Sequence, residues 1–215
     1  MRNYLIQCMV ITTLSISAIF AQAVSKTGTS AGQFLKIGVG SRAIGLGGAF
    51  TAIADDASSL YWNPSGIANN KTLSIFVDHY DWILDIEMDF IGFIIPLGSA
   101  GNLGVSTNYL HMGEMEVTST KNPEGTGEKF SAASYLGQIS YARNLTERFS
   151  LGSSIKLIKE SIWNSTATGI AIDIGTLYKS TFPGLKLGMS ISNYGSKMKM
   201  DCLLYTSPSP RDKRL

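Results

Sequence analysis

Hydrophobicity that repeats every second residue, over segments of roughly nine to thirteen residues, most narrows what this chain can fold into. The period predicts strands at Thr72–Tyr80, Glu87–Leu97, Asn102–Met112, Ser131–Arg143, Phe149–Glu160, Gly169–Lys179 and Leu185–Tyr194. Phe149, Leu151, Ile155 and Leu157 share one face of their strand, and Ser150, Gly152, Ser154 and Lys156 the other. Ile170, Ile172, Ile174 and Tyr178 oppose Ala171, Asp173, Gly175 and Lys179. Leu185, Leu187, Met189 and Ile191 oppose Lys186, Gly188, Ser190 and Ser192. One polar and one apolar face suit a soluble sandwich as well as a barrel in lipid. The barrel is favoured by strand length, by a polar face of Gly, Ser and single charges, and by aromatics near strand ends (Tyr80, Trp82, Tyr109, Phe149, Tyr178). Connections also alternate: Asn144–Glu147 and Ser180–Gly184 are short, whereas Gly113–Lys129 is long.

The two ends follow other rules. Residues 1–23 read as a secretory signal peptide: Arg2 supplies a positive start, Met9–Phe20 an apolar run, and Ala21-Gln22-Ala23 a small-x-small cleavage site. That run is shorter than the roughly 20 residues a transmembrane helix needs. Residues 202–215 abandon the strand pattern. The run from Cys202 to Asp212 back-translates into a string resembling a sequencing-library adaptor, so this segment is read as a non-native tail and set aside. The expected organisation is signal peptide 1–23, an irregular plug segment 24–70, strands over 71–201, and the tail 202–215.

Charge then loses its apparent basic bias. Of 18 Lys and Arg, Arg2, Arg211, Lys213 and Arg214 lie in the ends, and of 16 Asp and Glu only Asp212 does. The remainder, 14 basic against 15 acidic, gives no reason to expect a nucleic-acid partner. Both cysteines, Cys8 and Cys202, also fall in the ends, which excludes thiol metal sites from the body. Gly38, Gly40, Gly45, Gly47 and Gly48 lack the strand and acidic residue of a dinucleotide fingerprint, and suit close packing instead. Asp55 and Asp56 are adjacent and suit capping, while Asp78, Asp81, Asp85 and Asp89 surround a turn at Trp82. His79 and His111 have no nucleophile or metal-ligand partner at a recognisable spacing. The expectation is no enzyme, no cofactor and no metal.

Between the leader and the strands runs Ser41-Arg-Ala-Ile-Gly-Leu-Gly-Gly-Ala-Phe-Thr-Ala-Ile-Ala-Asp-Asp-Ala-Ser-Ser-Leu-Tyr-Trp-Asn-Pro-Ser-Gly-Ile-Ala68. Asn63-Pro64-Ser65-Gly66 reads as a tight turn, with Pro fixing φ and Gly permitting positive φ. The whole stretch resembles the N-terminal hatch of FadL-like outer-membrane barrels, most closely the PorV/PorQ family. Ser65 stands where Ala is commoner. The resemblance implies an all-β, transmembrane antiparallel barrel of about fourteen strands, about half of it present here, with a luminal hatch. It assigns Trp62, Asn63, Pro64, Ser65 and Gly66 to the hatch, with Tyr61 and Trp62 anchoring the plug against the barrel wall.

The same resemblance implies the cell outer membrane as location, lipid as surroundings, and type IX secretion components and cargo proteins as partners. The role is then a cargo shuttle or an assembly component of type IX secretion. The alternative is a FadL-like channel for hydrophobic small molecules, whose ligand would need an apolar luminal pocket. Phe76 on the polar face of the first strand, and Ile91, Phe93 and Ile95 in the second, are the candidates to line it. A barrel with a purely structural role is a third possibility.

Overall fold

The computed structural model describes residues 31–200; the expected signal peptide and tail lie outside the described residues. The chain enters through a 3-10 turn at Gln33–Lys36, then α1 (Ser41–Gly45), α2 (Ser59–Trp62) and a 3-10 segment at Pro64–Asn69. The strands follow: β1 (Ser74–Asp81), β2 (Ile86–Pro96), β3 (Asn102–Met112), β4 (Met115–Glu116), β5 (Lys129–Phe130), β6 (Ala132–Asn144), β7 (Phe149–Ile162), β8 (Ser165–Lys179) and β9 (Lys186–Gly195). β4 and β5 pair only with each other, as a small hairpin inside the long connection. The other seven form one antiparallel sheet in the order β1-β2-β3-β6-β7-β8-β9, so each strand lies beside its neighbour in the chain. The all-β expectation holds, but among the described residues the sheet is open: β1 and β9 are its edges and do not pair.

The seven strands fall where the alternation places them, with one difference of consequence. β7 and β8 run on to a turn of only Trp163 and Asn164, with Ile162 paired to Ser165, where a longer loop is expected. Cross-strand pairing of Ser161 with Thr166 and Glu160 with Ala167 extends the ladder through polar residues that carry no clear period. The expected alternation of short and long connections therefore reduces to a single long one, Gly113–Ser131.

Burial divides the sheet in an unusual way. On β7 the polar residues Ser150, Ser154 and Lys156 are buried, whereas Leu151, Ile155 and Leu157 are exposed, the last two at 61% and 63%. β8 repeats this with Asp173 buried and Ile170, Ile172 and Ile174 exposed. The buried face is covered by residues 31–70. Val39, Leu60 and Ile67 of this segment join Met88, Phe90 and Ile94 of β2 in one core cluster. Phe34 and Leu35 join Leu136, Ile158 and Ala171 in another. β2 therefore needs apolar residues on its inner face, unlike its later neighbours, because the hatch packs on them.

Candidate functional site

Local chemistry sets the shape of the hatch. Pro64 opens the 3-10 segment, where its missing N–H is no loss, and Asn63 is the preceding N-cap, with an extended backbone. The Asn63 side chain is fully buried: its Oδ1 accepts from Ser65 N at 3.1 Å and Ser65 Oγ at 2.7 Å. Its Nδ2 donates to Thr51 O at 2.8 Å and to Thr176 O of β8 at 3.2 Å. One amide thus closes the turn, ties it to the rest of the hatch, and fixes it to the sheet. Ser65 has its own purpose here, since an alanine lacks the hydroxyl that bonds Asn63. Gly66 does not use positive φ as expected; a Cβ there would collide with Ala54 O and lie 2.8 Å from Ser59 Cβ.

The sheet is cut away beneath the hatch. A Cβ on Gly152 of β7 would lie 2.5 Å from Pro64 C and Ser65 N. One on Gly175 of β8 would strike Asn63 Oδ1, one on Gly104 of β3 would strike Leu60 Cδ2, and one on Gly188 of β9 would lie 2.6 Å from Ala52 Cα. Gly152 and Gly188 let hatch backbone approach strand backbone, while Gly175 and Gly104 make room for the side chains of Asn63 and Leu60. Strand amides then grip the hatch carbonyls. Asn102 Nδ2 donates to Ile67 O at 2.5 Å and Asn70 O at 2.7 Å, and Gln138 Nε2 to Leu60 O at 2.7 Å.

Tyr61 packs against the core cluster that holds Met88, Phe90 and Ile94 of β2, while the hydrogen-bonding atoms of Tyr61 and Trp62 stay within the hatch. Trp62 Nε1 donates to Val39 O at 2.8 Å and the Tyr61 hydroxyl to Leu35 O at 2.8 Å, so both brace one hatch turn against another. The wall anchors Asn102 and Gln138 escape sequence reasoning, because an amide on a polar strand face signals nothing until the hatch is laid over it. Phe76 faces the hatch, edge-on to Phe90 at 6.1 Å between ring centroids, and fills core space. Phe93 pairs with Ile75 on the face away from the hatch and is 39% exposed. Ile95 shares that outer face, also 39% exposed.

The hatch also perturbs a phenol. Burial, aided by the negative charge of Asp173, pushes Tyr61 from the ordinary tyrosine value up to about 12. The folded state therefore holds this proton more tightly than the unfolded one. Its contribution to stability is complete below about pH 10 and is lost as pH rises from there toward 12. Unfolding midpoints measured from pH 9 to 11.5 should decline more steeply in the native protein than in Tyr61→Phe; equal slopes would contradict this.

A buried ion pair lies beside the hatch on the inner face. Lys156 Nζ is 2.6 Å from Asp173 Oδ2, with both side chains almost fully buried. Asn193, at a register shift between β8 and β9, completes the group: its N donates to Asp173 Oδ1 at 2.7 Å, and its Oδ1 accepts from Lys156 Nζ at 2.8 Å. Its φ of 58° shapes the bulge that brings both groups in. Lys156→Met leaves Asp173 charged and unpaired, at an expected cost of about 3–5 kcal/mol. Lys156→Met with Asp173→Leu should recover part of that loss in urea titrations, and a double variant no better than the single would refute the pairing.

The other titratable groups do not converge on chemistry. Asp55 and Asp56 meet Arg42 on the hatch surface, and Asp56 Oδ1 accepts from Ser58 N at 2.8 Å in a local turn. His79 contacts Asp89 at 2.7 Å and His111 lies 3.4 Å from Glu87, all on the outer face. Among the described residues no group of three or more His, Cys, Asp or Glu is placed to hold a metal.

Comparison with known proteins places this geometry. Residues 20–211 match the family model of the type IX secretion system protein PorV. Two curated relatives from Treponema pallidum (strain Nichols), each described as a UPF0164 protein, are 25% identical over 174 and 205 residues. Those alignments cover 75% and 86% of this chain but 43% and 61% of the relatives, so the chain spans about half their length. No solved structure matches. A family model that covers nearly the whole chain decides its membership: it belongs to the family of the type IX secretion system protein PorV.

Proposed function

We propose that this chain is part of an outer-membrane β-barrel with a luminal hatch, and that it serves type IX protein secretion as a cargo shuttle or assembly component, without catalysis of its own. The observation that carries the membrane reading is the inversion of the sheet. Its polar face is buried under the hatch and its apolar face, from Ile75 on β1 to Ile191 on β9, is bare. Water penalises such a surface in proportion to its area, whereas lipid does not. The bare face is also banded. Ile139, Ile155, Ile172 and Ile174 occupy its middle, and toward the end that carries the long connection His79, Asp89, Tyr109, Tyr135 and Lys159 form one cross-strand row, the two tyrosines stacked at 4.4 Å, with Glu87 further out. An apolar belt giving way to a row of aromatic and charged residues is the order met on leaving a bilayer.

Unpaired edges in hydrocarbon cost several kcal/mol per backbone group, so in the proposed barrel β1 and β9 pair with further strands. The long connection Gly113–Ser131, with its β4–β5 hairpin, then lies on the outer side, and the tight turns at Leu97–Gly101, Leu145–Arg148 and Ser180–Leu185 on the periplasmic side. The secretion role rests on family membership. Deleting the gene in its native host tests it: cargo bearing a C-terminal sorting domain should accumulate inside the cell, and secretion should return with the native gene. Unchanged secretion would exclude the role.

A further inference from the structure

A cavity of about 370 Å³ lies between the hatch and the inner face of the sheet. Trp62 of the hatch lines it together with Asn108 of β3, Gln138 of β6, Lys156 of β7 and Ser190 of β9. Asn108 is 1% exposed, yet neither its Nδ2 nor its Oδ1 has a hydrogen-bond partner. The Ser190 hydroxyl is buried and unpartnered as well. Gln138, in contrast, is committed to Leu60 O, Ser140 and Ser154. Buried polar groups are nearly always satisfied, so a carboxamide and a hydroxyl left open on one cavity call for a guest that bonds them.

Chemistry decides which guest. The buried charges cancel, because Lys156 and Asp173 are 2.6 Å apart, and a charged guest would find no free counter-charge in the interior. Lys36 also lines the cavity but is exposed and can keep its charge in water. An apolar guest would leave the Asn108 amide and the Ser190 hydroxyl unpaired. The volume lies in the range of small-molecule sites and is more than ten times the share of one water. We propose that this luminal cavity is a binding site for a neutral, hydroxyl-rich small molecule of monosaccharide size, held by Asn108 and Ser190. The site goes beyond the secretion role and does not depend on it.

The test uses the full-length protein folded in lipid nanodiscs and ligand-observed saturation-transfer NMR, with glucose and erythritol as probes and octanoate as the apolar comparison. Both polyols should give saturable signals in the native protein. Asn108→Leu should abolish them, and Ser190→Ala should weaken affinity roughly five-fold, the effect of one lost hydrogen bond. Should Asn108→Leu fail to fold, as judged by heat-modifiable migration, Ser190→Ala decides alone. No polyol signal, signals unchanged in the folded variants, or displacement of the polyols by octanoate would overturn the assignment. Secretion, measured separately in cells, leaves each of these outcomes unaffected.

Discussion

Replacing Ile155 and Ile172 together by lysine is expected to abolish stable insertion into lipid. The two residues are direct cross-strand partners on the bare face of β7 and β8, 61% and 41% exposed, with Ile139 paired to Ile155 on the other side. Ordinary reasoning about exposed residues makes such changes harmless or even solubilising in water. In a bilayer each lysine near the midplane costs about 2–4 kcal/mol. Two of them rival the 5–15 kcal/mol that holds a typical domain together. Thr166→Lys, on the same sheet but beside the two-residue turn, should cost at most about 1 kcal/mol, since the penalty falls with depth. Heat-modifiable migration and urea titration in vesicles read both effects. Equal behaviour of the double variant and Thr166→Lys would remove the membrane from the picture.

Gly152→Val is the second large effect. Its Cβ position lies 2.5 Å from backbone atoms of Pro64 and Ser65, so the clash is backbone against side chain and no rotamer relieves it. Overpacking commonly costs about 1–3 kcal/mol, and a contact with no soft partner belongs at the upper end. The relief available is displacement of the hatch. The variant should therefore raise the ionic conductance of the protein in planar bilayers and expose residues 31–70 to protease. Asn63→Ala should act the same way for another reason: it removes the partner of the Thr51 carbonyl and the tie to Thr176 of β8, at about 1–3 kcal/mol for a buried group left unpaired. Gly137→Val is the control, because nothing lies within 4 Å of its Cβ position. A Gly152→Val protein with native conductance would show that the hatch is not the plug.

The strands were legible because alternation is a local signal that survives whichever face is buried. What alternation does not reveal is which face that is. Phe76 and Phe93 both read as candidates for a luminal pocket, yet the register pairs Phe76 with Gly92 under the hatch and Phe93 with Ile75 outside. β2 has apolar residues on both faces, so its own sequence gives no way to choose. The hatch motif was visible as composition, with its geometry hidden. Asn63 spans four partners on three segments, and Gly175, 112 residues away, clears the space for its Oδ1. Lys156 and Asp173 each look like an isolated charge on a polar face. Only the β7–β8 register, which pairs Lys156 with Ala171 and Ser154 with Asp173, makes them diagonal neighbours.

In the proposed barrel the apolar face of this sheet meets lipid and the polar face does not. Residues 31–200 contain no cysteine, so single cysteines can be placed at Ile155 and Ile172 on one face and at Ser154 and Ala171 on the other, with Cys202 replaced by serine. Spin labels at these sites, in the full-length protein reconstituted in vesicles, would be probed with oxygen, which concentrates in lipid, and with a water-soluble nickel chelate. High oxygen and low nickel accessibility at 155 and 172, with low accessibility to both agents at 154 and 171 beneath the hatch, is the expected result. Nickel accessibility at 155 and 172 equal to that of a soluble surface would contradict the membrane barrel outright.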